Sequence, residues 1–131
     1  MSDEEEIRRL LASYAQLVDG NRLEEWTALF APDGTFKAGT SNAVVGREAI
    51  LSEITRRHEA AAAGRKTKHL AFNSLIDVKG NEATAVSDYF VFARTASDQP
   101  WLATTSGKHH DRLVKVDGRW LFQERINRSG E

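Results

Sequence analysis

At 131 residues, 40% hydrophobic and 28% charged, the chain has the size and composition of a single globular domain over residues 1–131, not of a disordered or fibrous segment. With 18 basic and 19 acidic residues interspersed, it offers no electrostatic attraction for nucleic acid or an anionic membrane, and the absence of cysteine removes disulfides and thiolate metal sites. The acidic start, Met1 to Glu6, is unlike a secretory leader, and no apolar run approaches the roughly 20 residues that span a bilayer, so a cytoplasmic location is expected.

Ile7, Leu10, Leu11, Tyr14, Leu17 and Val18 recur at the three-and-four spacing of an amphipathic helix, led in by Ser2 and by Asp3 to Glu6 at the positive end of its dipole. Gly20 and Asn21 supply the stop. Leu23, Trp26, Leu29 and Phe30 form a second, shorter helical face, ended by a Pro32-Asp33-Gly34 turn, and Thr35 to Ala38 read as a short strand. A third helix is expected after Gly46-Arg47, with Ala49, Ile50, Ile54 and Thr55 on its buried side, running through an alanine-rich stretch to Gly64.

Past Gly64 the period changes to two. Strands are expected over Thr67 to Val78, Glu82 to Thr95, Trp101 to Val116 and Arg119 to Asn127, with tight turns at Lys79-Gly80-Asn81 and at Asp117-Gly118. Helices first and a strand meander last define an α+β pattern in which the sheet curls around the helices. Alternation places His69, Ala71, Asn73 and Leu75 on one side of the first long strand, and Asp88, Phe90, Phe92 and Arg94 on one side of the second. Both faces carry apolar side chains, so one is expected to cover the helices and the other to meet a second copy of the chain.

Among the titratable residues, His109 and His110 are strand neighbours that point to opposite faces, so the His-His-Asp run ending at Asp111 does not converge on a metal. Asp111 shares the face of His109, and the two can offer polar groups to the interior together. His58, among Arg56, Arg57 and Glu59, reads as a solvated surface residue. His69 opens a strand, where a hydrogen-bonded structural histidine is the ordinary reading. Asp19 ends the first helix, where the dipole disfavours a carboxylate; the plain reading is a surface aspartate in the turn, and the sharper one is an imidazolium partner. A histidine held by a carboxylate is a proton-abstracting base near pH 7.

Four stretches, YAQLVDGNRLEEWTALFAPDGTF at Tyr14 to Phe36, GREAI at Gly46 to Ile50, KHLAFN at Lys68 to Asn73 and HDRLVKVDGRWLFQERIN at His110 to Asn127, resemble the SnoaL-like branch of the nuclear transport factor 2-like superfamily. The resemblance implies a cone-shaped fold, three N-terminal helices packed in a strongly curved, mixed but mostly antiparallel sheet around a deep apolar pocket, often as a homodimer or homotrimer. Its cofactor-free lyases, among them scytalone dehydratase, hexachlorocyclohexane dehydrochlorinase and bile-acid 7α-dehydratase, pair an aspartate at the end of the first helix with a histidine opening the first long strand, matching Asp19 and His69. An arginine after a DGxW hairpin, which helps a departing anion in the dehydrochlorinase, matches Arg125, and positions like Arg94 and His109 face the pocket in relatives. The chain departs from scytalone dehydratase at Val18, where that enzyme has a tyrosine, so the tyrosine that polarises a carbonyl there is not carried over.

The expected function is a lyase or isomerase that needs no cofactor or metal and acts on a small apolar or cyclic molecule, with dehydratase-like elimination favoured. His69, Asp19 and Arg125 are the expected catalytic residues. Tyr14, Trp26, Asn73, Leu75, Phe90, Phe92, Arg94, His109 and Asp111 are expected to meet the substrate. The alternative is a non-catalytic ligand-binding or oligomeric interaction domain. A third reading, epoxide hydrolase or polyketide cyclase-like activity, needs Asp88 or Asp111 to face inward beside Asp19 for the hydrolase.

Overall fold

In the computed structural model, which describes all 131 residues, the chain runs α1 (Asp3–Asp19), α2 (Leu23–Thr27), β1 (Phe30–Ala38), β2 (Val44–Val45), α3 (Arg47–Ala60), β3 (Lys66–Lys79), β4 (Glu82–Arg94), β5 (Leu102–Val116) and β6 (Arg119–Ser129). The strands form one six-stranded sheet in the order β2-β1-β6-β5-β4-β3, antiparallel except where β1 lies parallel to β6. The three helices cover one face. That is the α+β architecture with a mixed, mostly antiparallel sheet expected above.

Helix α1 starts where Ser2 Oγ accepts the Glu5 N–H at 3.1 Å, a cap of the kind worth about 1 kcal/mol. Its buried face, Ile7, Leu10, Leu11, Tyr14 and Val18, is the one its periodicity marks. Asp3 Oδ1 takes hydrogen bonds from Trp120 Nε1 and Lys115 Nζ, each at 3.0 Å, and so ties the helix start to the β5–β6 hairpin. With Trp26, Phe30, Phe36, Ile50, Ile54, Leu113 and Phe122, the α1 face belongs to one core cluster of 15 residues. At the hairpin itself Asp117 (φ 51°) and Gly118 (φ 77°) both adopt the left-handed conformation, the type I′ turn announced by an Asp-Gly pair.

Two boundaries differ from the sequence reading. The second helix is a single turn ending at Thr27, because Leu29 and Phe30 already lie against β6, where the Leu29 carbonyl accepts the Phe122 N–H at 2.8 Å. Pro32-Asp33-Gly34 is therefore no helix-ending turn; it lies within β1, at a register shift between Phe30 and Thr35. The third helix stops at Ala60, and the Ala61 to Gly64 stretch, favourable to helix by composition, is exposed and has no core to pack against.

Register shifts also fall at Phe72/Leu75 in β3, Val91/Phe92 between β4 and β5, and Arg112/Leu113 between β5 and β6. Such bulges bend strands and redirect side chains. In β3 the bulge centres on Asn73 (φ 56°), so Thr67 and His69 face inward before it and Ser74 and Ile76 after it. Simple alternation across this strand fails at that point. Asn73 and Leu75 face away from the helices, with Leu75 71% exposed.

Candidate active site

The C-terminal half of α1, the inner face of the sheet, the β1–β2 loop and the α3–β3 loop line a cavity of about 980 Å³, a size suited to a drug-sized ligand. Its deep wall is apolar and aromatic: Tyr14, Val18, Phe36, Ile54, Tyr89 and Val91. Asp19, His69, His58, His109 and Asn127 add polar groups.

Asp19 reaches across from the end of α1 to the first strand-paired turn of β3. Its Oδ1 accepts from His69 Nδ1 at 2.6 Å and from the Thr67 hydroxyl at 2.9 Å, and its Oδ2 accepts from the His69 backbone N–H at 2.7 Å. These bonds supply what the unfavourable helix end lacked. Burial, the largest single influence, would raise the Asp19 carboxyl, but the bonds from the His69 ring and backbone, with the Thr67 hydroxyl, outweigh it and hold the group below the usual carboxylate range. Because an ionised carboxylate only accepts, His69 carries its proton on Nδ1. Nε2 is the nitrogen left for a molecule in the cavity.

A second polar chain runs along the floor. His109 Nδ1 lies 2.6 Å from Asn127 Oδ1, and Asn127 Nδ2 donates to the Tyr14 hydroxyl over a long 3.4 Å. His109 also stacks on Tyr89, ring centroids 4.3 Å apart. With Nδ1 donating to the amide oxygen and the amide nitrogen donating to Tyr14, the Tyr14 hydroxyl proton is free to be given to a ligand. Burial pushes the Tyr14 phenol up, against the opposing charge of Arg125, so it remains a donor at neutral pH.

Burial, then the charge of Arg125, depress His109 to about 2 from the ordinary 6.5. The unfolded chain therefore takes up a proton at this residue as pH falls through 6.5 while the folded protein does not. Stability from the neutral ring is full above that value and is lost at about 1.4 kcal/mol per pH unit below it. The lowered Asp19 carboxyl acts in the same direction, but only as pH falls below the ordinary 3.8. Urea unfolding at pH 5 should thus find the protein about 2 kcal/mol less stable than at pH 7 through His109 alone, and His109→Gln should flatten that slope. An unchanged slope in the variant would contradict a neutral buried imidazole.

The structure brings Tyr14, Asp19, His69 and His109 to the cavity and leaves the other expected site residues elsewhere. Arg125 and Asp111 form a fully buried bidentate pair, Nε–Oδ1 2.8 Å and Nη2–Oδ2 3.0 Å. The Arg125 guanidinium lies 4.2 Å from the Tyr14 ring centroid and 4.6 Å from that of Phe122, under the floor and not among the cavity-lining residues. Trp26 is likewise core, packed on Tyr14, Phe30 and Phe36. Phe90, Phe92 and Arg94 occupy the outer face of β4, whose inner face carries Ala83, Ala85, Ser87, Tyr89, Val91 and Ala93. Asn73 donates there to Asp88, which also binds Lys108. Asp88 thus faces outward and Asp111 is held by Arg125, so neither carboxylate joins Asp19.

His58 is not a solvated surface residue. It is half-buried at the cavity wall, its ring nitrogens 3.1 Å from the Ile54 carbonyl oxygen and 3.2 Å from that of Val18. Thr67, Tyr89 and Asn127 were also missed; Thr67 carries the one usable signal, a polar residue two positions before His69 and hence on the same strand face. His109 and His110 do diverge, the latter pairing outward with Glu131 at 2.9 Å.

A helix-lined cavity on a bent mixed sheet, with a half-buried carboxylate fixing one histidine, defines the pocket-bearing α+β class of the nuclear transport factor 2-like superfamily. The chain belongs to the SnoaL-like domain family, whose model matches residues 1–126. Similar solved structures include a candidate scytalone dehydratase from Novosphingobium aromaticivorans (28% identity, 98% of this chain and 85% of that one, TM-score 0.84). Another is a protein from Catenulispora acidiphila in complex with S-DNPA (26% identity, 96% and 92%, TM-score 0.85). ActVI-ORFA from Streptomyces coelicolor, 22% identical over 97% and 96%, shares the fold with a TM-score of 0.88. No curated protein sequence matches the chain.

Proposed function

We propose that the protein is a cofactor-independent lyase or isomerase whose base is His69, with dehydratase-like elimination from a small cyclic molecule as its reaction. The observation that carries this reading is the Asp19 carboxylate, which spends all three of its hydrogen bonds on orienting His69 and its strand and leaves Nε2 free at an open cavity. A structural ion pair needs no cavity beside it. In the proposed reaction Nε2 removes a proton from the carbon next to a carbonyl, and the Tyr14 hydroxyl stabilises the resulting enolate oxygen. The imidazolium, steadied by Asp19, then returns that proton to the β-hydroxyl as it leaves, so the products are the alkene and one water. The Tyr14 and His69 rings are edge-on neighbours, centroids 6.3 Å apart, and both line the cavity.

Arg125 is a positioning residue in this scheme, acting through the Tyr14 ring that it underlies. The decisive experiment is deuterium incorporation from D₂O next to the carbonyl of cyclic β-hydroxyketones, followed by NMR. Exchange by the wild type and its absence in the His69 variant support the base. Tight binding with no exchange or elimination by either protein supports a ligand-binding domain.

The outer sheet face favours self-association. Phe72 and Phe90 stack in parallel at 5.9 Å, Phe92 lies 6.0 Å from Phe90, and Leu70, on the strand of Phe72, is exposed beside them. A contiguous aromatic patch of this kind on a sheet marks an interface. Light scattering at micromolar concentration should give a dimer or trimer, and Phe72→Glu with Phe90→Glu should return it to monomer; a monomeric wild type would remove the oligomer from the proposal.

A further inference from the structure

Away from the dyad, the charges around the cavity are one-sided. The whole chain has 18 cationic and 19 anionic side chains. Those lining the cavity are Arg57, Arg65, Lys66 and Arg128 against the single carboxylate of Asp19. That carboxylate is already satisfied by His69 and Thr67. The cavity is therefore cationic in a protein whose formal net charge is −1.

The four cations sit at the mouth, Arg65, Lys66 and Arg128 exposed and Arg57 half-buried, and the apolar wall lies behind them. Arg57 is the most fixed. It projects from the last turn of α3, donates from Nη2 to Ser41 Oγ at 3.1 Å and from Nε to Glu53 Oε1 at 3.2 Å, and keeps Nη1 unpaired. Arg128, at the end of β6, has only a loose 3.7 Å approach to Glu131. Arg65, in the loop entering β3, and Lys66, the first residue of that strand, pair with no carboxylate. Three separate segments thus bring cations to one opening; Arg65 and Lys66 have no carboxylate partner, and Glu53 and Glu131, the partners of Arg57 and Arg128, do not line the cavity.

We infer that the cavity takes an organic anion, an apolar ring system carrying a carboxylate or comparable acidic group, with the rings against the Tyr14, Val18, Phe36, Ile54 and Val91 wall and the acid held at the Arg57–Arg128 rim. The inference deepens the lyase reading by naming the class of its substrate: the acid end stays at the mouth, and the opposite, reacting end is carried in toward His69. Long-range attraction into a cationic cleft also concentrates such a molecule there despite the negative net charge of the protein. A neutral molecule of the same shape gains only the apolar wall.

The test compares two fluorescent probes of matched ring system, anilinonaphthalenesulfonate and uncharged phenylnaphthylamine, titrated against the full-length protein. The sulfonate is expected to bind about tenfold more tightly at 0.1 M ionic strength, and most of that advantage should vanish at 1 M, where the screening length falls from about 10 to about 3 Å. Arg57→Gln combined with Arg128→Gln should remove the advantage, whereas Arg112→Gln with Arg119→Gln, on β5 and β6 outside the cavity, should retain it. Equal affinities, indifference to salt, or the same loss in both pairs of variants overturns the inference. His69→Ala separates it from the lyase reading. If that variant loses proton exchange while the wild type shows no anion preference, the base stands and the substrate class falls. If the preference is present and His69→Ala exchanges protons normally, the ligand class stands and the base falls.

Discussion

His69→Ala is expected to slow carbon-proton exchange by about 10²- to 10⁴-fold, the usual contribution of a positioned general base. Its folding should change little. The substitution removes one of the three hydrogen bonds to Asp19, and the Thr67 hydroxyl and the residue 69 backbone N–H remain to hold the carboxylate. Asp19→Asn should be nearly as damaging to rate, for a different reason: an amide can present its NH₂ to Nδ1, which moves the ring proton to Nε2 and blocks the nitrogen that must accept. Exchange rates and urea midpoints measured on the same preparations decide the matter. A large loss of stability with exchange intact would show that the pair is a structural bridge between α1 and β3.

Arg125→Ala should have the largest effect on stability, about 3 to 5 kcal/mol, because it leaves the Asp111 carboxylate buried without its partner. For a chain of this length the melting temperature should fall by about 10 to 20 °C. Arg125→Met combined with Asp111→Leu, which removes both charges at similar volume, should recover most of that loss, since a buried ion pair returns little beyond its own desolvation cost. If Arg125→Ala instead leaves melting unchanged and abolishes exchange, Arg125 reaches the reacting molecule and the positioning role is wrong. The double variant also tests the link to Tyr14: with the guanidinium gone from beneath the ring, proton exchange should drop even where folding is restored.

The pairing of Asp19 with His69 was legible in the sequence, through a carboxylate placed against a helix dipole and the resemblance to lyases that join these positions. Most element boundaries were legible too, since period 3.6 gave way to period two after Gly64 and an Asp-Gly pair marked the β5–β6 hairpin. Faces were harder. Counting outward from the Asp117-Gly118 turn as an unbroken hairpin sets Asp111 opposite Glu124; the bulge at Arg112/Leu113 sets it opposite Arg125 and so makes the buried ion pair. In β3 the bulge at Asn73 likewise turns Asn73 and Leu75 away from the cavity. On β4, alternation separated Phe90 and Phe92 from Ala85 and Tyr89 without saying which set the helices cover.

By itself, then, the sequence determined most of the helices and strands and the α+β class, because these depend on short-range periodicity and turn chemistry, whereas the Asp19–His69 pair needed the family resemblance as well as the local electrostatic anomaly at Asp19. Tertiary structure alone decided that the Ala85 and Tyr89 side of β4, and not the Phe90 and Phe92 side, forms its inner face, that Arg125 lies under the floor instead of at the reacting end, and that His58 and four cations gather around the cavity. Those outcomes depend on bulges that shift register by one residue and on loops far apart in the chain meeting at one opening, and neither leaves a periodic trace in the residues.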